Sequence, residues 1–147
     1  MKKAIYFDMD GTLAGLFYVK NFKTMLDNKD ATPYLQARPL YNVNAMNEQI
    51  ERLKKLGYVI GIISYVDNGD FAKVARKAKR EWLKKNFALA DEIHIVQKRN
   101  ANKSRYANIH NAILVDDAKA NRQAWQWGET INAYRADLVN ELKKIEA

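Results

Sequence analysis

Short apolar runs alternate with amphipathic helical stripes along this chain, and that alternation limits what it can fold into. Lys3 to Phe7 is a brief apolar run ending at a carboxylate, which suits a buried parallel strand. Val43, Met46, Ile50 and Leu53 recur at helical spacing, and Gly57 stands where a helix-ending glycine belongs. Tyr58 to Ile63 is a second strand, and Phe71, Val74, Ala75, Ala78 and Trp82 make the stripe of a second helix. Strands over 93–96 and 112–115 follow, then a helix from Ala118 to Trp127 stopped at Gly128, an edge strand over 130–134 and a terminal helix over 136–145. Strands separated by helices form parallel βαβ units with right-handed crossovers, so the expected class is α/β, a parallel sheet flanked by helices. Residues 13–42 lack a clean period and hold both prolines; they read as an irregular insertion with one short helix.

Composition narrows the chemistry. The 147 residues correspond to one domain, and no internal repeat or low-complexity stretch divides them. With no cysteine, disulfides, cysteine-ligated metals and a cysteine nucleophile are excluded. Two histidines leave little room for a histidine-built zinc site. Lys+Arg 25 against Asp+Glu 17 gives +8, a balance that favours an anionic partner. No run approaches the ~20 apolar residues of a membrane span, and the segment after Met1 is too short for a signal peptide. The expectation is a soluble, cytoplasmic protein with no membrane partner.

In open α/β sheets, ligands bind beyond the carboxyl ends of the strands. After the first strand stand Asp8 and Asp10, in Asp8-Met9-Asp10-Gly11-Thr12. Ser64 follows the second strand, a basic loop with Lys98, Arg99 and Lys103 follows the third, and Asp116-Asp117 follows the fourth. Four carboxylates at one sheet edge repel one another unless a cation joins them. Oxygen ligands without histidine or cysteine suit Mg²⁺. Read singly, Asp116-Asp117 also fits a helix N-cap, and Ser64 an ordinary loop serine.

Asp8-Met9-Asp10-Gly11-Thr12 on a strand end resembles the first motif of the haloacid dehalogenase (HAD) superfamily of phosphotransferases. Ser64 resembles its second motif, a lysine before the fourth strand its third, and Asp116-Asp117 its fourth, all in order across residues 4–121. Lys79 to Phe87 is similar, less specifically, to the 5'-nucleotidase branch. The resemblance implies a Rossmann-like sheet, a single domain over 1–147 and a minimal cap over about 14–40. It implies that Asp8 attacks phosphorus, that Asp10 is the general acid and base, and that Gly11, Thr12, Ser64 and a lysine hold the phosphoryl group. Mg²⁺ would bind Asp8, Asp10 through its backbone carbonyl, and the Asp116-Asp117 pair. Lys103, which follows a polar turn and stands where a helix pointing back at the site could start, is the favoured lysine, with Lys98, immediately after the third strand, the alternative. Asn121, five residues after Asp116, either orders the metal's surroundings or faces solvent.

Only 53 residues separate Asp10 from Ser64, and helix and strand use about twenty of them. The remaining ~30 are too few for a four-helix cap at ~11 residues per helix. The site should be open or roofed by one small element, with Phe17, Tyr18, Phe22, Tyr34 and Tyr41 available to contact a base or to pack the insertion. Three functions compete. They are a phosphomonoesterase on small phosphorylated substrates, nucleotides by preference; a phosphatase on DNA or RNA ends; and a nucleic-acid-binding module without chemistry. The basic residues Lys73, Arg76, Lys77, Lys79, Arg80, Lys84 and Lys85 read as a solvated helix face, or as a track for nucleic acid. Trp82, Trp125 and Trp127 read as packing anchors.

Overall fold

The computed structural model describes residues 1–98 and 102–147. Strands β1 (Lys3–Phe7), β2 (Tyr58–Val66), β3 (Glu92–Gln97), β4 (Ala112–Asp116) and β5 (Thr130–Asn132) form one sheet in the order β3-β2-β1-β4-β5. Among the described residues every strand pairing in the sheet is parallel: Lys3 faces Tyr58 and Ala4 faces Ala112, while β5 pairs with β4 alone. The helices are α1 (Phe22–Asp27), α2 (Thr32–Gln36), α3 (Val43–Lys55), α4 (Phe71–Asn86), α5 (Lys119–Ala124) and α6 (Leu138–Lys143). The architecture is thus a Rossmann-like α/β fold, and it places β1 at the centre.

Strand alternation divides the core into two faces. Ile5 and Phe7 of β1, with Ile60 and Ile62 of β2, pack under Met46, Ile50 and Leu53 of α3, Trp82 and Leu83 of α4, and Leu142 of α6. Ala4, Tyr6, Ile63 and Leu114 point the other way, toward Trp125. Gly61 is obligatory here, because a Cβ at that position would run into the Tyr6 ring. α3 is capped by Asn42, whose side chain accepts from Ala45 N at 3.0 Å. It ends at Gly57, whose φ of 96° fits the left-handed helix stop.

Several boundaries differ from the pattern reading. β2 runs on to Val66, so Ser64 lies inside the strand rather than after it. α5 stops at Ala124, not Trp127, because Trp125 turns onto the sheet, its ring 6.0 Å from Tyr6 and its Nε1 donating to Ala112 O. β5 and α6 are each shorter than expected. The insertion carries two helices and a 3-10 turn over Leu16–Tyr18 rather than one helix. α2 seats it on α4: Trp82 Nε1 donates to Ala37 O at 2.6 Å. On α4 the inward stripe is Ala72, Ala75, Ala78, Lys79, Trp82 and Leu83, whereas Val74 is exposed. Lys79, assigned above to the solvated face, is fully buried.

Candidate active site

The carboxyl ends of β1, β2 and β4 carry two buried lysine-centred clusters. In the first, Lys103 Nζ donates to Asp8 Oδ1 at 2.7 Å and to Asp116 Oδ2 at 2.9 Å. Lys103 opens a 3-10 turn over Lys103–Tyr106, capped by Asn102, and its side chain is buried. Asp116 is fixed further: Oδ1 accepts from Ala118 N, Oδ2 from Asn121 Nδ2 at 3.0 Å, and its carbonyl from Arg122. Asn121 therefore faces the acidic cluster, not solvent. The Thr12 hydroxyl lies 3.1 Å from Asp8 Oδ2 and 3.2 Å from Asp117 Oδ1, while accepting from Asp117 N. Its single proton serves one carboxylate at a time.

The loop that supplies these groups is a tight turn: Thr12, Leu13 and Ala14 all donate to Met9 O. Gly11 sits in it at φ 83°, where a Cβ would strike the Asp117 carboxylate and the Phe17 ring. Only glycine fits both the dihedral and the space.

The second cluster centres on Lys79. Its Nζ donates to Asp10 Oδ2 at 2.7 Å, Ser64 Oγ at 3.0 Å and Tyr65 O at 2.7 Å, and lies 4.9 Å from the centre of the Tyr34 ring. Among the described residues, Asp10 Oδ1 is buried with no hydrogen-bond partner. Tyr34 belongs to α2, so the insertion roofs this cluster.

The electrostatics separate the carboxylates. Burial alone would raise the Asp8 carboxyl, but Lys103, aided by hydrogen bonds and by Lys79, outweighs it and holds Asp8 below the usual range. Burial and the Asp8 charge push Asp116 up against the pull of Lys103. Asp117 is pushed up to about 7 by burial, by its interaction with Asp8 and by the Asp116 charge. Lys103 loses to burial but gains more from Asp8 and Asp116, and is held above its ordinary value.

Oxygen atoms of Asp8, Asp116 and Asp117 lie within 4.8 Å of one another, a set that could hold a metal ion. Asp117 has no ion-pair partner among the described residues, and it shares the set with Asp8 and Asp116. The all-oxygen donor set fits a hard divalent ion. The Asp10 side chain is outside this set, its carboxylate being turned to Lys79.

Of the residues expected at the site, Asp8, Thr12, Lys103, Asp116 and Asp117 share the first cluster, and Asp10 and Ser64 share the second. Gly11 shapes the connecting loop. Lys98 is exposed, with Nζ 5.9 Å from the centre of the Tyr65 ring and no ion pair to either cluster among the described residues. Arg99 lies outside the described residues. Lys79 is the site residue that pattern reading missed, although its spacing, four after Ala75 and three before Trp82, places it on the inward stripe.

No family model and no curated protein matches the chain. Among solved structures it is similar to a chain of the "Structure of Pnkp1/Rnl/Hen1 complex", with a TM-score of 0.55 and 19% sequence identity over 89% of this chain and 47% of that one. This chain thus spans about half the length of that one, and at this identity the likeness concerns the fold. Among the described residues, no helix is long and apolar enough to cross a membrane.

Proposed function

We propose that this protein is a Mg²⁺-dependent phosphomonoesterase of the HAD type, acting on nucleotides or related small phosphate esters. The observation that carries the reading is the buried Asp8–Lys103–Asp116 array, with Asp10 held two residues away by its own buried lysine. Asp8 is kept ionised as a nucleophile needs to be. In the first half-reaction an Asp8 carboxylate oxygen bonds to phosphorus and the bond to the leaving oxygen breaks. Asp10, paired with Lys79 through Oδ2, enters this half-reaction with a proton taken from solvent on Oδ1, the atom left without a partner, and gives it to that oxygen. In the second, water attacks phosphorus, Asp10 takes its proton, and the bond to Asp8 breaks to release inorganic phosphate. Ser64, Thr12 and Lys103 donate to the phosphoryl oxygens. A divalent cation held by Asp8, Asp116 and Asp117, when bound, supplies neutralisation of charge between carboxylate and phosphate.

The test is phosphate release from p-nitrophenyl phosphate and a panel of mononucleotides, with Mg²⁺ and with EDTA. Turnover that needs Mg²⁺ and vanishes in Asp8→Asn is expected; no release from any ester refutes the reading. A second reading, a phosphatase on DNA or RNA ends, is favoured by the basic outer face of α4, where Lys73, Arg76, Lys77, Arg80 and Lys84 lie together with Glu81. Preference for a 3'-phosphorylated oligonucleotide over a mononucleotide would put it first.

A further inference from the structure

Beside the first cluster lies a cavity of about 470 Å³, bounded on one side by Gly11, Thr12 and Asp117. It is within the ~300–1,000 Å³ of small-molecule sites and at the lower end, enough for one nucleoside. Seven large apolar side chains are exposed among the described residues, and four of them (Phe17, Tyr18, Leu40 and Tyr134) line this one cavity. Exposed apolar side chains gathered in one place mark a binding surface, whereas scattered ones need no explanation. The aromatic walls come from opposite ends of the chain: Phe17 and Tyr18 from the insertion, Tyr134 from the loop after β5. Arg135 completes the wall, its guanidinium 5.2 Å from the centre of the Tyr134 ring. It is held at φ 53°, a left-handed conformation that few non-glycine residues adopt.

We propose that this cavity is the subsite for the nucleobase of the leaving group, so that the substrate is a nucleoside monophosphate or the terminal nucleotide of a strand. The inference rests on the phosphomonoesterase reading above for the position of the phosphate. Flat aromatic faces and a guanidinium plane suit a π-system, which every base offers. Gly15, Ala133 and Ala136 supply the remaining lining, small side chains that leave the aromatic walls and Arg135 to set the character of the cavity. Contact with Gly11 and Thr12 puts the subsite against the loop that carries Asp8.

The experiment is calorimetric titration of the Asp8→Asn protein, in Mg²⁺, with adenosine 5'-monophosphate and with ribose 5-phosphate, which differ only in the base. The nucleotide should bind about 10- to 100-fold more tightly, the factor one stacked base contributes. Tyr134→Ala should remove most of that difference and leave ribose 5-phosphate unchanged. Arg135→Gly, which keeps the left-handed backbone without strain, should also weaken the nucleotide alone. Equal binding of the two ligands, or equal loss of both in Tyr134→Ala, overturns the subsite. A 3'-phosphorylated dinucleotide, bound more tightly than the mononucleotide, would identify a strand end as the source of the base. Turnover is read separately on the wild-type protein. Hydrolysis of both esters at the same kcat/KM, with equal binding, would sink the subsite and keep the enzyme. Tyr134-dependent nucleotide binding without hydrolysis of any ester would sink the enzyme and keep the subsite.

Discussion

Replacing Lys79 with methionine removes one buried ammonium and the three hydrogen bonds it donates, to Asp10, Ser64 and the Tyr65 carbonyl. Methionine is close in volume, so the cavity contribution is small. Deleting one partner of a buried ion pair costs about 3–5 kcal/mol. The Asp10 side chain keeps 20% of its exposure, so water can reach part of the orphaned carboxylate, and the lower end, about 3 kcal/mol, is expected. That is a large share of the ~5–15 kcal/mol that holds a domain folded. With urea m-values of about 1–3 kcal/mol/M, the unfolding midpoint should fall by about 1–3 M. Adding Asp10→Asn removes the unpaired charge, and the double variant should recover about 1–2 kcal/mol relative to additivity. Lys85→Met, on the exposed face of the same helix, should stay within about 0.5 kcal/mol of wild type. If Lys79→Met cost no more than Lys85→Met, or added simply to Asp10→Asn, the buried pair would not exist as described.

Asp8→Asn should abolish hydrolysis of p-nitrophenyl phosphate with the circular dichroism spectrum unchanged, and Asp10→Asn should slow it by about 10²–10⁴-fold; near-normal rates in either would remove that residue from the chemistry. Gly11→Ala forces a Cβ into the Asp117 carboxylate at a positive φ, and should cost about 1–3 kcal/mol in chemical denaturation together with a loss of turnover. In EDTA, an unfolded Asp117 ionises near the ordinary carboxylate value while the folded one keeps its proton to about pH 7, so its contribution lowers stability as pH rises from about 4 to 7 and stays unfavourable above. Thermal melts between pH 5 and 8 should therefore show a flatter profile for Asp117→Asn than for wild type, and Mg²⁺ should raise the wild-type Tm more at pH 8 than at pH 5; parallel profiles would refute the assignment.

How much of this was readable beforehand depended on whether chemistry and pattern pointed the same way. Ala4 to Phe7 is apolar on both faces because the core packs against both faces of β1, so its run stood out, and Asp8 and Asp10 follow it directly. Lys79 was hidden by its own type: counted as polar, it joined Lys77 and Arg80 on the outer face, though its position is inward. The helix expected up to Trp127 failed because both tryptophans are drawn to the second face of the sheet, where Trp125 meets Tyr6 and Trp127 Nε1 donates to Ser104 O. Tyr134, expected to end the edge strand, lies instead with Arg135 in the turn after β5, and nothing local announces that they line one cavity with Phe17.

The central place of β1 also has a cost during synthesis. Its first partner, β2, begins with Tyr58, paired to Lys3 and 55 residues later; Ala112, paired to Ala4, comes 108 residues later. At about 5–20 residues per second, these gaps correspond to about 3–11 s and about 5–22 s of translation. Until β2 emerges, Ala4 to Phe7, four residues with no exposure in the finished fold, have no strand to join. Such a segment adheres to others of its kind unless charges flank it. Lys2 and Lys3 guard one side, and Asp8 and Asp10 guard the other. The acids proposed to carry the chemistry thus double as solubilising flanks for a nascent chain. Neutralising both should lower the soluble yield of freshly made protein by more than any loss of folded stability explains.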